Sequence, residues 1–337
     1  MKREFQLASR REFLGQAAGA MTILSAIGAQ RAGAGEKPSK NPFAYDVSQL
    51  QKTDPKLIAY QESTRWKAPH PEAKRIAIGP DDTLYVCASS YVTVLNAAGE
   101  RGLEIALPDV ARCVAVGKDG DIFAGMRDHI EVFDPKGSHK ATWDSPGKKA
   151  WFTGLAVAEN EVFAADAGNR IILRYDKSGK LLRRIGAKNK ERNLPGFIIP
   201  SPFFDVEMAR DGLLRVNNPG RHRVESYTVD GDFEGSWGVV SMGITGFCGC
   251  CNPINLALLP DGRFITCEKG LPRVKIYSAE GAFESVVAGV EAFAENAKVC
   301  GPSDCTTGGL DAVADAQGWI YILDLVAGDV RVMKHKA

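Results

Sequence analysis

The chain repeats itself, and that limits its fold more than any other feature. A tight polar turn followed by a short apolar strand returns six times along the sequence. The turns are Pro80-Asp81-Asp82, Lys118-Asp119-Gly120, Ala158-Glu159-Asn160, Arg210-Asp211-Gly212, Pro260-Asp261-Gly262 and Ala316-Gln317-Gly318. The strands that follow include Leu84-Tyr85-Val86, Ile122-Phe123-Ala124, Val162-Phe163-Ala164 and Ile320-Tyr321-Ile322. A second set of turns recurs as Ala98-Gly99, Lys136-Gly137, Ser178-Gly179, Asp230-Gly231 and Glu280-Gly281. Asp-Gly and related pairs supply the positive φ that a tight hairpin requires.

The units begin near residues 72, 110, 151, 203, 252 and 310. Each holds four short strands over about forty to fifty-five residues, the spacing of a propeller blade. The expected fold is therefore an all-β, six-bladed β-propeller over residues 57–337. The last unit ends near His335 with three strands. Leu57-Ile58-Ala59-Tyr60, ahead of the first unit, is expected to supply the fourth. A ring closed by strands from both ends leaves no sheet edge exposed.

The whole mature chain resembles the NHL-repeat family of propellers, most sharply in units three to five. The resemblance is carried by Ala165 to Ile171 with Tyr175 to Gly179, by Asn217 to Val224 with Tyr227 to Gly231, and by Glu268 to Val274 with Tyr277 to Gly281. It implies an NHL-like blade and no particular activity, because one scaffold hosts many functions. In one enzyme class of that family, the peptidyl-hydroxyglycine lyases, first-strand histidines hold zinc. Gly154, Asp205 and Asn255 stand at those places here, so that activity is not implied.

Residues 1–34 read as an export signal. Arg10-Arg11 precede a modest apolar run from Gly15 to Ala29, and Ala32-Gly33-Ala34 offers a cleavage site. This is the twin-arginine order, which predicts a periplasmic or otherwise exported protein. The apolar run is too short and too interrupted for a convincing membrane span, so no span is expected once the signal is removed. Resemblance to such signals also implies export of an already folded chain, often around a cofactor. Residues 35–56 are polar and read as a linker. The full chain carries a net charge of +1. Without residues 1–34 it falls near −2, which gives no global attraction to nucleic acid or anionic lipid.

Strand order sorts the cysteines. In a four-stranded blade, the loop entering the first strand and the loop between the second and third lie on one face, here called the upper face. Cys248, Cys250 and Cys251 precede the first strand of unit five, and Cys300 and Cys305 precede that of unit six. Cys267, Cys87 and Cys113 map to the same half of the disc. Two readings follow. Disulfides would pin two long loops, leaving a non-catalytic interaction scaffold. Alternatively, Cys248, Cys250, Cys251, Cys300 and Cys305, with Cys267 and His222 near, would hold an iron–sulfur cluster or a thiolate-bound iron, copper or zinc for electron transfer. The spacing departs from ferredoxin runs.

The first strands, stacked in register, place Arg75, Cys113, Gly154, Asp205, Asn255 and Asp311 around the upper mouth of the central channel. Asp205, Asn255 and Asp311 would suit calcium and a cation-dependent hydrolase or lactonase. A polar, water-filled channel is the other reading. Arg127, His129, Arg170, Arg221, His222, Arg223, Lys269 and Arg273 fall near the same face. They would meet an anionic small ligand or a protein partner. No serine-hydrolase elbow, phosphate loop or zinc-protease motif is present.

Overall fold

The computed structural model describes residues 48–192, 194–299 and 307–336. The export signal and most of the linker lie outside them, as do Cys300 and Cys305.

The described residues form six antiparallel four-stranded sheets. Blade one is β2 (Ala73–Ile78), β3 (Leu84–Ala88), β4 (Tyr91–Leu95) and β5 (Arg101–Ala106). Blade two is β6 (Cys113–Val116), β7 (Ile122–Gly125), β8 (Ile130–Phe133) and β9 (His139–Trp143). Blade three is β10 (Phe152–Val157), β11 (Glu161–Asp166), β12 (Ile171–Asp176) and β13 (Leu181–Ile185). Blade four is β14 (Val206–Met208), β15 (Leu214–Asn218), β16 (Arg223–Tyr227) and β17 (Phe233–Trp237). Blade five is β18 (Asn255–Leu258), β19 (Phe264–Cys267), β20 (Val274–Tyr277) and β21 (Phe283–Ala288). Blade six is β22 (Leu310–Ala314), β23 (Ile320–Asp324) and β24 (Asp329–His335), completed by β1 (Tyr60–Lys67).

The innermost strands β2, β6, β10, β14, β18 and β22 touch in sequence and close the ring. Several hairpins share a local device. Asp134 Oδ1 accepts the backbone N–H of Lys136 and Ser138 at 2.9 and 2.8 Å. Asn96, Asp176 and Asp315 do the same in their own turns. These side-chain bonds hold the turn through contacts within a few residues.

The core is divided among the gaps between blades. Phe123, Trp143, Phe152, Leu173 and Tyr175 fill the gap between blades two and three. Phe163, Phe197, Phe204, Val216 and Tyr227 fill the next. Comparable apolar clusters occupy the other four gaps.

Closure differs in one respect from the expectation. The strand that completes blade six is Tyr60–Lys67, and Leu57–Tyr60 is not it. Tyr60 pairs with His335 and Lys67 with Asp329. The outermost strand of a blade buries little, and β1 is mostly exposed. Its position follows from pairing with β24, which leaves no apolar pattern to read. The C-terminal part of the expected linker is also structured. Two short 3-10 turns span Ser48–Gln51 and Pro55–Leu57, and Leu50 packs against Cys248, Leu271 and Val290.

Candidate functional site

Arg75 stands at the centre of the channel. It enters from the start of β2, and its guanidinium donates to Asp205 of β14's entry and to Asn255 of β18. Asp311 of β22 lies 3.2 Å from the same guanidinium. The carboxylates are also held by backbone. Asp311 accepts Ile76 N–H at 2.8 Å and Asp205 accepts Leu256 N–H at 3.1 Å. Asn255 donates to Leu310 C=O at 2.7 Å. Four inner strands are thereby tied through one buried cation. The oxygens that suggested calcium converge on this guanidinium, a positive charge built into the chain.

The charges do not balance locally. Arg75 faces Asp205, Asp311 and, further along the channel, Glu207. Burial opposes the Arg75 charge, but Asp205 and Asp311 outweigh it and hold its pKa above the usual value. Burial lifts Asp311 to about 6 against the pull of Arg75, with Asp205 adding to the rise. Burial and Asp205 also push Glu207 well above the usual carboxylate range. One guanidinium among three carboxyls favours retention of a proton on one of them.

Above this plug the channel opens into a cavity of about 550 Å³. Its walls include Lys74, Arg75, Arg112, Trp151, Phe203 and Asn255, with Thr153, Leu325 and Val326. The Arg112 guanidinium stacks on Trp151, 3.9 Å from the ring centroid, and Arg127 lies 5.4 Å from it. Lys269 Nζ stands 4.7 Å from the Phe203 ring. Trp151 is fixed by its backbone, which donates to Asp166 at 3.0 Å and accepts from Ala167 at 2.9 Å. Neither Lys74 nor Arg112 forms a salt bridge among the described residues, and the buried Arg112 Nε lacks a hydrogen-bond partner there. Burial lowers the Arg112 pKa. The cavity thus combines aromatic walls with two cationic donors, Lys74 and Arg112, that form no salt bridge among the described residues.

The cysteines separate into two groups. Cys87, Cys113 and Cys267 are fully buried near the plug. Cys87 pairs across strands with Arg75, and Cys267 with Asn255. Burial raises Cys87 to about 12 and pushes Cys113 and Cys267 up as well. These thiols remain protonated at neutral pH. Cys248, Cys250 and Cys251 share the loop before β18. The Cys250 and Cys251 sulfurs are 3.5 Å apart. Burial and the nearby Glu268 raise Cys248 to about 11. His222 sits at the β15–β16 corner, buried, with Nδ1 unpartnered among the described residues. No set of three or more His, Cys, Asp or Glu side chains among the described residues is arranged to hold a metal.

Sequence reasoning missed two groups. The first is the wall formed by Lys74, Arg112, Trp151 and Phe203. These residues flank the inner-strand positions that were stacked in register, so reading the flanks would have found them. The second is a charge cluster in blade five. Glu268, fully buried, meets Arg273 at 2.9 Å and Lys275 at 2.7 Å. Lys275 also donates to Gly246 C=O at 2.7 Å. Burial lowers Lys275 to about 8, with Glu268 working against the fall. Lys275 belonged to ordinary strand sequence in β20 and carried no signal. Arg273, expected on the outer rim, is consumed internally, and Arg223 is likewise paired with buried Glu225 at 2.6 Å.

Fold and cavity together define a six-bladed propeller with a cationic, aromatic-walled mouth at one end of its channel. No protein-family model and no curated protein matches the chain. Solved structures do share the architecture. A streptogramin B lyase aligns at 12% identity and TM-score 0.56, over 82% of this chain and 97% of that one. The virginiamycin B lyase of Staphylococcus aureus aligns at 12% identity and TM-score 0.55, over 82% of this chain and all of that one. A protein of unknown function from Bacteroides thetaiotaomicron aligns at 13% identity and TM-score 0.58, over 82% of this chain and 72% of that one. At these identities the likeness is one of fold.

Proposed function

We propose that the chain is a ligand-binding propeller that takes a small organic anion with a planar apolar part at its upper channel mouth. One observation carries this reading: the cavity of about 550 Å³ sets Lys74 and Arg112 beside Trp151 and Phe203. That volume falls in the range of small-molecule sites. Arg112 offers a planar fork to a carboxylate, sulfonate or phosphate. Trp151 and Phe203 offer ring faces to an aromatic body. The described lining holds no histidine, cysteine or carboxylate, so it supports binding better than general acid–base catalysis. The lyase activity named for the structural neighbours therefore has no residue support in this lining.

Calorimetry against a panel of naphthoates, naphthalenesulfonates and aliphatic carboxylates of similar size tests the proposal. Aromatic anions should bind and their neutral esters should not. Lys74→Ala and Arg112→Ala should each weaken binding about tenfold to a hundredfold, the range of a charge-assisted hydrogen bond. Equal affinity for ester and acid would refute the reading.

The thiolate centre expected from the sequence would require Cys300 and Cys305 to join Cys248, Cys250 and Cys251. Iron, copper and zinc analysis on anaerobically purified protein tests it. Twin-arginine export is tested by replacing Arg10 and Arg11 with lysine and following the chain by cell fractionation.

A further inference from the structure

We infer that the seam closing the ring carries a second binding site, for a neutral pyranose sugar, on the face opposite the channel mouth and independent of whatever fills that mouth. The seam exists because β1 pairs with β24, which sets Tyr60 opposite His335. Their rings meet edge-on, with centroids 5.2 Å apart. The turns that precede β19 and β23 complete a cavity of about 210 Å³, bordered by Tyr60, Leu259, Asp261, Arg263, Gln317 and His335.

Two polar groups there are left without a protein partner. Tyr60 is only 3% exposed, yet its hydroxyl makes no hydrogen bond among the described residues. The charges acting on it are those of Arg263, Asp261 and Glu284, which places the hydroxyl toward the cavity's polar side. A buried phenol in that position has the cavity left to bond to. Burial raises its pKa, so the phenol keeps its proton and can donate. His335 is fixed by its other nitrogen. Its Nδ1 lies 2.6 Å from Lys336 C=O. A carbonyl only accepts, so Nδ1 carries the proton, and Nε2 of the neutral ring is left as an acceptor.

The remaining groups select against charge in the ligand. Arg263 is held by Asp261 at 2.8 Å and by Glu284 at 3.2 Å. One cation between two carboxylates leaves no positive charge over for an anion. The lining instead sets donors, the Tyr60 hydroxyl and Arg263, beside acceptors, His335 Nε2 and Asp261, and the Gln317 amide supplies both. A matching ligand donates and accepts at several adjacent points, which vicinal hydroxyls do. Leu259 and the Tyr60 ring give an apolar wall for the C–H face of a sugar. The cavity is smaller than the usual site for a drug-sized ligand, and so suits a single ring.

The test is saturation-transfer NMR on the full chain with methyl α-glucoside, methyl α-mannoside and methyl α-galactoside. At least one should bind with a Kd on the order of 1 mM, the strength expected of so small a ligand. Tetrahydropyran, the same ring without hydroxyls, should not bind. Tyr60→Phe removes a hydroxyl that no protein group holds, so its melt should match the parent. Its sugar binding should weaken about threefold to tenfold, the range for one hydrogen bond. His335→Phe keeps the edge-on ring contact and should weaken binding by a similar factor. Arg112→Ala should bind the sugar as the parent does. Absence of transfer from all three glycosides would overturn the assignment. So would parent-like binding by both Tyr60→Phe and His335→Phe, or loss of binding in Arg112→Ala, which would put the sugar in the mouth.

Discussion

At the scale of single residues, two of the fold's buried charge clusters, around Arg75 and around Glu268, invite direct tests. Removing Arg75 leaves Asp205 and Asp311 without their cation. Removing Glu268 leaves Arg273 and Lys275 without their anion. Breaking a buried pair on one side costs about 3–5 kcal/mol. Arg75→Met and Glu268→Gln are each expected to lose that much in urea unfolding. Asp311 adds a pH dependence. Its ordinary pKa of 3.8 rises to about 6 in the folded chain. Between those values the folded state binds more protons than the unfolded one, so stability falls as pH rises. The loss across that window is on the order of 2–3 kcal/mol. Urea midpoints should decline from pH ~4.5 to pH ~6.5 in the parent and flatten in Asp311→Asn. An equally steep decline in the variant would assign the effect elsewhere.

At the scale of elements, neighbouring blades are locked by a repeated contact between an outer-strand side chain and a hairpin glycine. Trp143 of β9 covers Gly179 in the next blade, and Trp66 of β1 covers Gly99. A Cβ at Gly179 would fall 2.5 Å from the indole, at a backbone φ of +89°. Gly179→Ala therefore combines a steric clash with left-handed strain and should cost about 2–4 kcal/mol in chemical denaturation. Gly212 has a similar φ of +80° but open space around it. Gly212→Ala should cost only the strain, about 1–2 kcal/mol. Equal losses at the two positions would show that the indole contact contributes nothing. The hairpins and blade starts were legible because the turn chemistry is local, as at Asp134-Pro135-Lys136-Gly137. The strand β1 was not legible, because Tyr60–Lys67 is a mostly exposed edge whose place is set by a partner far away in sequence.

At the scale of the whole molecule, function depends on six strand entries meeting at one mouth. Register alone brought Arg75, Asp205, Asn255 and Asp311 together on paper, because side chains at equivalent positions of radial blades must converge. It did not reveal that the Arg75 charge is matched inside the channel while Lys74 and Arg112 form no salt bridge among the described residues. That distinction depends on which carboxylates lie within bonding distance, and periodicity carries no such information. Closure of the ring is equally a property of the whole. A chain beginning at Ala68 lacks β1 and exposes the edge of β24, so it should aggregate on heating without a cooperative melt, while one beginning at Ser48 should melt cooperatively. Matching melts for the two would mean that β1 does not hold the ring shut.

An aromatic anion seated in the cationic mouth can be seen directly. Crystals of the chain soaked with a bromonaphthoate should show an anomalous bromine peak between Trp151 and Phe203, with the carboxylate on Arg112 and Lys74. Crystals of Arg112→Ala soaked at the same concentration should show none. A peak outside the mouth, or an equal peak in the variant, would contradict the account.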